Sequence, residues 1–338
     1  MKCCANCIGD QGLRKSIFPD LMPELGNCDY CSSENVLVVQ PHVLADVFGS
    51  LINVYEPNEN GKLLVQCFID DWGMFDHEQI REDRASALLN DILYDHEIAG
   101  KRFVPVPSYQ TDRLMRWERL RDELMFENRF FPAAEMDRER LNSLLTYLIL
   151  GADDLPTNWY RARLLRQDTP YLIEEMGAPP KKLATHGRAN PAGIPYLYLG
   201  STATTAIAEI RPHTGEHACV ASFKTPVELK VVDLRNPRKS VSPFVLGDED
   251  AIGFMRGDIE FLARLGEELT RPVVPQSAAI DYVPSQYLCE FIKKCGYDGV
   301  IYKSSVGDGM NLALFYPSHA TPERVTQYRV SRVSVEIE

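Results

Sequence analysis

The sequence predicts an α+β protein in which a small metal-binding leader and a helical first half precede a mixed α/β second half. Two Cys-x2-Cys pairs open the chain, apolar residues recur at helical spacing between 33 and 150, and short β-rich runs divided by Gly and Pro follow. A length of 338 residues is typical of two domains of roughly 150 residues each. We therefore expect a leader over 1–32, a helical domain over 33–151 and a mixed domain over 155–338.

Composition and charge exclude several classes of protein. The chain is 45% hydrophobic and 25% charged, as in an ordinary globular protein, and its net charge is −12. Residues 1–150 carry −10 of that charge, which argues against binding to nucleic acid or anionic membrane because phosphates need Lys or Arg. The sequence has neither an apolar run long enough to span a bilayer nor a secretory signal. We expect a cytoplasmic protein with reduced cysteines.

The first 31 residues hold five of the nine cysteines. Cys4 and Cys7 form one Cys-x2-Cys pair, and Cys28 and Cys31 form a second. Two such pairs can complete a tetrahedral Cys4 site, which zinc prefers, so we predict a closed structural zinc site. The polar segment between the pairs has no apolar core of its own. Free thiols, a redox pair, or Cys3 in place of Cys4 are the alternatives.

Periodicity locates most of the secondary structure. The first half contains four patterns of helical spacing, at 41–55, 78–98, 111–131 and 135–152, while 62–75 gives no clear pattern. Strands are predicted in the second half at 160–165, 195–200, 218–224, 229–234, 299–304, 311–316 and 328–337. Helices are predicted at 202–211, about 250–268 and 284–295.

Several catalytic motifs are absent. The sequence has no GxGxxG, GxxxxGK[ST], GxSxG or HExxH, which disfavours a Rossmann dinucleotide domain, a P-loop NTPase and a serine hydrolase. Arg211 and His217 have the spacing of some metal-independent ribonucleases. Pro212 and Gly215 lie between them, so one helix cannot present both side chains.

The segment 186–212 brings together residue types that suit a nucleotide. Arg188 lies in a loop rich in Gly and Pro, Tyr198 lies on the following strand, and Glu209 lies on the next helix. Arginines can bind phosphate in a bidentate manner, a tyrosine can stack on a ring, and a carboxylate can bind ribose hydroxyls. The structural alternative is a surface pair between Glu209 and Arg211, with Tyr198 in the core.

Residues from about 155 to 320 resemble the RES domain, the toxin domain of many bacterial toxin–antitoxin pairs. The motifs that carry the resemblance are, in order, WYRAR, GRANPAGIPYLYLGSTATTAIAEIRP, YVPSQYLCEFIKKCGYDGVIYKSS and GMNLALF. The resemblance implies a fold related to ADP-ribosyltransferases. It also implies that the protein destroys NAD+ by cleaving the nicotinamide–ribose bond, with water or phosphate as the acceptor.

The resemblance also assigns the site residues. Its catalytic positions fall on Arg161, Glu209 and Ser304. We expect Arg163, two residues beyond Arg161, to point to the opposite face of the strand, so Arg161 alone is assigned to the site. The positions that bind NAD+ fall on Arg188, Tyr198, Asn311 and Ser305, the neighbour of Ser304. Ala189 stands where the family often has Trp.

The first half resembles the HEPN-like domain that precedes RES in some of these proteins. It lacks a usable Arg-x4–6-His pair, so we expect a scaffold, sensing or dimerising role without ribonuclease activity. The resemblance further implies a cognate antitoxin or an activating signal as a partner, and we expect a homo-oligomer. Two alternatives remain for the function: a mono-ADP-ribosyltransferase that modifies a macromolecule, or a zinc-containing binding protein with an inactive RES domain.

Overall fold

The fold was obtained as a computed structural model of the chain. The structure describes residues 1–75, 80–95, 97–151, 154–167, 169–274 and 276–334. The start of the expected domain boundary, residues 152 and 153, lies outside the described residues, as do parts of the predicted helix 78–98 and of the predicted strand 328–337.

The chain forms two compact units. The first unit comprises Met1–Met115 and Asn236–Ala263, and the second comprises Arg116–Arg235 and Arg264–Glu338. Helices and strands occur in both units, which confirms the predicted α+β class. Among the described residues, no helix combines the length and the apolar character that a membrane span requires.

Twelve strands are described. In chain order they are β1 (Cys3–Cys4), β2 (Glu24–Gly26), β3 (Val36–Val39), β4 (Tyr55–Leu63), β5 (Arg102–Pro105), β6 (Trp159–Leu164), β7 (Leu197–Gly200), β8 (His217–Lys224), β9 (Val231–Asp233), β10 (Gly299–Lys303), β11 (Met310–Leu314) and β12 (Thr321–Arg329). The strands predicted within 160–316 are all confirmed. The prediction of a strand at 328–337 was wrong in position, because the backbone pairing with β8 involves the preceding segment, Thr321 to Arg329.

Eleven helices are described. They are α1 (Ala5–Ile8), α2 (Ala45–Ile52), α3 (Leu64–Trp72), α4 (Glu82–Leu93), α5 (Arg113–Phe126), α6 (Arg138–Leu145), α7 (Ala203–Glu209), α8 (Pro237–Ser240), α9 (Glu249–Thr270), α10 (Ala278–Asp281) and α11 (Val283–Lys294). The undecided segment 62–75 contains α3. Each predicted helix contains a helix that is shorter at one or both ends, with two exceptions. α9 is slightly longer than predicted, and α11 begins and ends one residue earlier than predicted.

The first unit contains two small antiparallel sheets that the prediction of a mainly helical domain missed. One sheet has the strand order β1-β3-β2, and the other pairs β4 with β5. β4 has five consecutive exposed residues, Glu56 to Asn60, so it lacks the apolar alternation by which a strand is recognised. Its two buried positions are Tyr55 and Gly61.

The second unit is built on a seven-stranded sheet with the order β12-β8-β6-β7-β11-β10-β9. The neighbours pair antiparallel except β9 and β10, which are parallel. Alternation along the strands gives the sheet two faces. One face carries the main core, which includes Trp159, Leu199 and Leu312. On the other face, α7 packs through Ala206 against Ala162.

Strands β6 and β7 diverge soon after they meet. Their backbone pairing consists of the single pair Tyr160 and Gly200, whereas β6 pairs with β8 over six residues. The sheet is therefore open between the rest of β6 and β7. Side chains of both strands reach this opening.

Candidate active site

A cavity of about 500 Å³ lies in the second unit, beside the divergence of β6 and β7. Six of the seven residues assigned to the NAD+ site line it: Arg161, Arg188, Tyr198, Glu209, Ser305 and Asn311. The seventh, Ser304, is absent from the described lining. The lining includes three arginines and one glutamate, so the cavity carries a net positive charge in a chain whose net charge is −12.

Glu209 ends α7, and its exposed carboxylate is held in place from two strands. Ser304 Oγ, just after β10, donates to Glu209 Oε1 over 2.7 Å, and Asn311 Nδ2 on β11 donates to the same oxygen over 2.6 Å. Among the described residues, neither a hydrogen bond nor an ion pair joins Glu209 to Arg211. Both hydrogen bonds use Oε1, which leaves Oε2 available to a ligand.

Helix α7 is fixed relative to the loop between β10 and β11. The helix begins at Thr202, whose hydroxyl accepts a hydrogen bond from the Thr205 amide over 3.0 Å. Thr205 Oγ1 in turn donates to the carbonyl of Asp308 in the loop over 2.8 Å. These contacts keep Ser304 within reach of Glu209.

Arg161 on β6 brings a buried positive charge to the cavity. Its Nε atom is buried and has no hydrogen-bond partner among the described residues. Burial, with a smaller effect of the like charge on Arg163, lowers the pKa of Arg161 to about 10, so the side chain remains a cation at neutral pH. A buried donor without a partner costs free energy unless a ligand accepts from it.

Arg163 makes contacts of a different kind. The expectation that Arg161 and Arg163 point to opposite faces was wrong, because residues two apart on a strand share a face. The Arg163 guanidinium lies 4.4 Å from the centre of the Tyr171 ring and donates to the Glu175 carbonyl over 2.5 Å. Arg163 is not among the described residues that line the cavity.

Arg188 is anchored at another wall of the cavity. Its Nη1 donates to the Arg271 carbonyl over 2.8 Å, its Nη2 lies 3.5 Å from Ser305 Oγ, and its guanidinium lies 5.3 Å from the centre of the Tyr282 ring. The buried hydroxyl of Ser285 on α11 donates to the Arg188 carbonyl over 2.6 Å. Hydrogen bonds thus hold both the backbone and the side chain of Arg188 in place.

Tyr198 supports the loop that carries Arg188. Its hydroxyl donates to Asn190 Oδ1 over 2.6 Å and accepts from the Ala189 amide over 2.9 Å. Burial raises the pKa of Tyr198, so the hydroxyl stays protonated and can donate. Gly187 is required here, because a Cβ at this position would lie 2.6 Å from both Asn190 Oδ1 and the Tyr198 hydroxyl oxygen.

Some lining residues were not singled out from the sequence. Tyr160, His186, Tyr282, Tyr302 and Arg211 all line the cavity. Tyr282 lies in a motif that carried the family resemblance, but nothing in that motif distinguished it from a core residue. Arg211 was considered only as a structural partner of Glu209 and as half of a ribonuclease-type pair with His217.

The four cysteines of the leader also come together, in the first unit. The thiols of Cys4, Cys7, Cys28 and Cys31 are buried and lie within 4.8 Å of one another. The closest pairs of sulfur atoms are 3.2 to 3.9 Å apart. Tetrahedral coordination with zinc–sulfur bonds of about 2.3 Å requires about 3.8 Å between sulfurs, so the thiols fit a metal ion.

Cys3 does not belong to this cluster of four cysteines. Burial raises the pKa of the Cys3 thiol to about 12, so it is protonated at neutral pH. Cys4 lies at the end of β1, Cys7 in α1, and Cys28 and Cys31 in the turn between β2 and β3. Local secondary structure thus positions all four ligands.

Comparison with known proteins identifies a family and a structural likeness. The family model of the RES domain matches residues 158–335. The solved structure of the M. tuberculosis MbcT–MbcA toxin–antitoxin complex contains a chain that matches with a TM-score of 0.35 and 13% identity, over 57% of this chain and 94% of that chain. No curated protein matches this chain.

The family match extends from the start of β6 to beyond β12. It includes all the strands of the seven-stranded sheet and every residue that the resemblance assigned to the NAD+ site. It covers more than half of the 338 residues. The chain belongs to the RES domain family.

Proposed function

We propose that this protein cleaves the nicotinamide–ribose bond of NAD+, with water or phosphate as the acceptor. The observation that carries the proposal is the Glu209 carboxylate, which two donors fix through a single oxygen at a cavity lined by three arginines. NAD+ presents the matching charges. Its diphosphate is anionic, and its nicotinamide ring and developing ribose cation are positive.

Glu209 acts on the ribose. When the bond between C1′ and the nicotinamide nitrogen breaks, its electron pair moves to the nitrogen, so nicotinamide leaves neutral and positive charge develops on the ribose. A carboxylate already oriented by Ser304 and Asn311 stabilises that charge without reorganising. Its free Oε2 can accept from a ribose hydroxyl. The acceptor oxygen then bonds to C1′ and loses its proton to solvent.

Ser304 is a positioning residue in this mechanism. Its hydroxyl is engaged with Glu209 and accepts from the Val306 amide over 3.3 Å. The base beside it is the Glu209 carboxylate, which this mechanism uses to stabilise the ribose cation, so we assign Ser304 no covalent role. Ser305 lines the cavity, so we expect this serine to contact the substrate.

The arginines and Tyr198 orient the dinucleotide. Arg161 supplies a buried guanidinium with an unused Nε donor, which suits a diphosphate oxygen. Arg188 is held in place by Arg271 and Ser285 and extends the positive wall. The Tyr198 ring is available as a flat surface for nicotinamide, since its hydroxyl is occupied by Asn190 and Ala189.

The cysteines have a separate, structural role in this proposal. We propose that Cys4, Cys7, Cys28 and Cys31 hold a zinc ion, because four thiolates in tetrahedral geometry are the usual ligands of structural zinc. Cysteine sulfurs occupy all four coordination positions of the zinc ion, so no coordination position is open to a substrate. It stabilises the leader.

The test is to incubate the purified full chain with NAD+ and identify the products by chromatography and mass spectrometry. We expect free nicotinamide together with ADP-ribose when water is the acceptor, or ADP-ribose 1″-phosphate when phosphate is added. Label transferred from NAD+ to macromolecules of a cell extract would instead identify a mono-ADP-ribosyltransferase. Binding of NAD+ without nicotinamide release would identify an inactive domain.

The proposal also implies control in the cell. An enzyme that destroys NAD+ harms its host unless it is restrained, so we expect a cognate antitoxin or an activating signal. Expression of the chain alone should lower cellular NAD+ and arrest growth. Expression of the Glu209→Gln variant should do neither.

A further inference from the structure

Arg211 has an unusual backbone conformation at the rim of the cavity. Its φ is 48°, in the left-handed region that residues other than glycine rarely adopt. The next residue is Pro212, and a residue before proline is normally extended. Strained residues of this kind persist where surrounding structure imposes them, and they concentrate at functional sites.

The side chain of Arg211 is available to a ligand. It lines the cavity two residues beyond Glu209 and is exposed. Among the described residues, its guanidinium takes part in neither a hydrogen bond nor an ion pair, although Glu209 lies close in sequence. The Glu209 carboxylate is held by Ser304 and Asn311 instead. All the donors of the Arg211 guanidinium remain free.

The three arginines of the cavity therefore differ in what they can offer. Arg188 already donates to the Arg271 carbonyl. Arg161 is half-buried, and its buried Nε is unpaired. Arg211 is exposed, and a planar guanidinium can bind two oxygens of one phosphate. Two of the three are thus open to an anionic ligand, one inside the cavity and one at its rim.

We propose that Arg211 is a further substrate-binding residue that binds a phosphate group at the rim of the cavity. The phosphate belongs either to the diphosphate of the dinucleotide or to a free phosphate ion that acts as the acceptor. This assignment rests on the proposed function, since both sources are reactants of NAD+ cleavage. It explains why the chain keeps an arginine where a glycine would relieve the strain.

The test compares the full-length Arg211→Gln variant with Arg329→Gln, which removes an exposed arginine of β12 away from the cavity. Calorimetry measures the binding of ADP-ribose, inorganic phosphate and adenosine. We expect Arg211→Gln to weaken either ADP-ribose or phosphate at least tenfold and to leave adenosine and the control unchanged. The affected ligand identifies the source. Unchanged affinity for both, or no binding of either to the wild type, would overturn the assignment.

A second variant separates binding from a structural role. Arg211→Gly removes the guanidinium and accepts a positive φ without strain, so its midpoint of thermal unfolding should rise. Its affinity for the ligand that Arg211→Gln weakens should fall to the same extent. A lower midpoint with unchanged binding would make Arg211 structural. The assays also distinguish the two proposals. If the wild type never releases nicotinamide but Arg211→Gln still loses ligand affinity, the proposed reaction is refuted and the binding role of Arg211 is kept.

Discussion

The cysteine cluster and the cavity illustrate two opposite ways to arrange polar side chains. In the cluster, four buried thiols lie within 4.8 Å of one another, so protein sulfurs would occupy all four coordination positions of a bound metal ion. In the cavity, Glu209 keeps an unused carboxylate oxygen and Arg161 keeps an unused buried donor. A closed set of ligands stabilises a fold, whereas unused hydrogen-bonding capacity at a cavity indicates a site for a ligand.

The largest effect on stability is expected when the cysteine cluster loses one of its four thiols. Cys28→Ser should abolish zinc binding and unfold the leader, because structural zinc contributes on the order of 10 kcal/mol or more to such small sites. Elemental mass spectrometry measures the zinc content, and thermal unfolding measures the stability. The matched control is Cys3→Ala, a buried cysteine outside the cluster, which should keep one zinc per chain. Full zinc occupancy in Cys28→Ser would contradict the closed site.

Loss of the unused donor in the cavity should affect activity but not the fold. We expect Arg161→Gln to lower kcat/KM for NAD+ about 100-fold, as does the loss of a preorganised charged donor. The free energy of unfolding should stay constant or increase, because a buried cation with an unpaired Nε costs free energy in the folded protein. Steady-state kinetics and denaturant titration measure both quantities. Reduced stability with retained activity would show that Arg161 is structural.

The two adjacent serines should respond differently. Ser304→Ala should lower kcat about tenfold with KM unchanged, because it removes one hydrogen bond to a charged group, Glu209. Ser305→Ala should instead raise KM, since Ser305 lines the cavity. Kinetics over a range of NAD+ concentrations separate the two parameters. If Ser304→Ala instead raises KM and Ser305→Ala instead lowers kcat, then Ser304 is the serine that contacts the substrate.

The smallest effect is expected at Tyr198. Tyr198→Phe removes the hydroxyl that joins Asn190 to the Ala189 amide, so it should lower the free energy of unfolding by about 1 kcal/mol and raise KM slightly. Tyr328→Phe changes an exposed tyrosine on β12 and is the control for both measurements. Equal stability of the two variants would mean that the hydroxyl of Tyr198 does not hold the loop.

Local patterns in the sequence predicted much of this structure. Apolar alternation located β6 to β11, helical spacing located α7, α9 and α11, and the cysteine spacing predicted the cluster. Six of the seven residues that the resemblance assigned to the site line one cavity, and their roles stay predictions. β4 and β5 were missed because their pairing depends on the backbone rather than on an apolar face.

The details of the site depend on contacts between distant parts of the chain. Ser304 and Asn311 reach Glu209 from 95 and 102 residues away, so no local pattern could show that both donate to the same oxygen. The divergence of β6 and β7 follows from long-range pairing.

The most direct test of the proposed reaction is nicotinamide release by the Glu209→Gln variant, measured beside its affinity for ADP-ribose. Glutamine keeps an oxygen that can accept from Ser304 and Asn311, so the variant removes the negative charge and preserves the cavity. We predict that ADP-ribose binds as tightly as to the wild type and that nicotinamide release falls at least 100-fold. Release at the wild-type rate would contradict the central role of the Glu209 carboxylate.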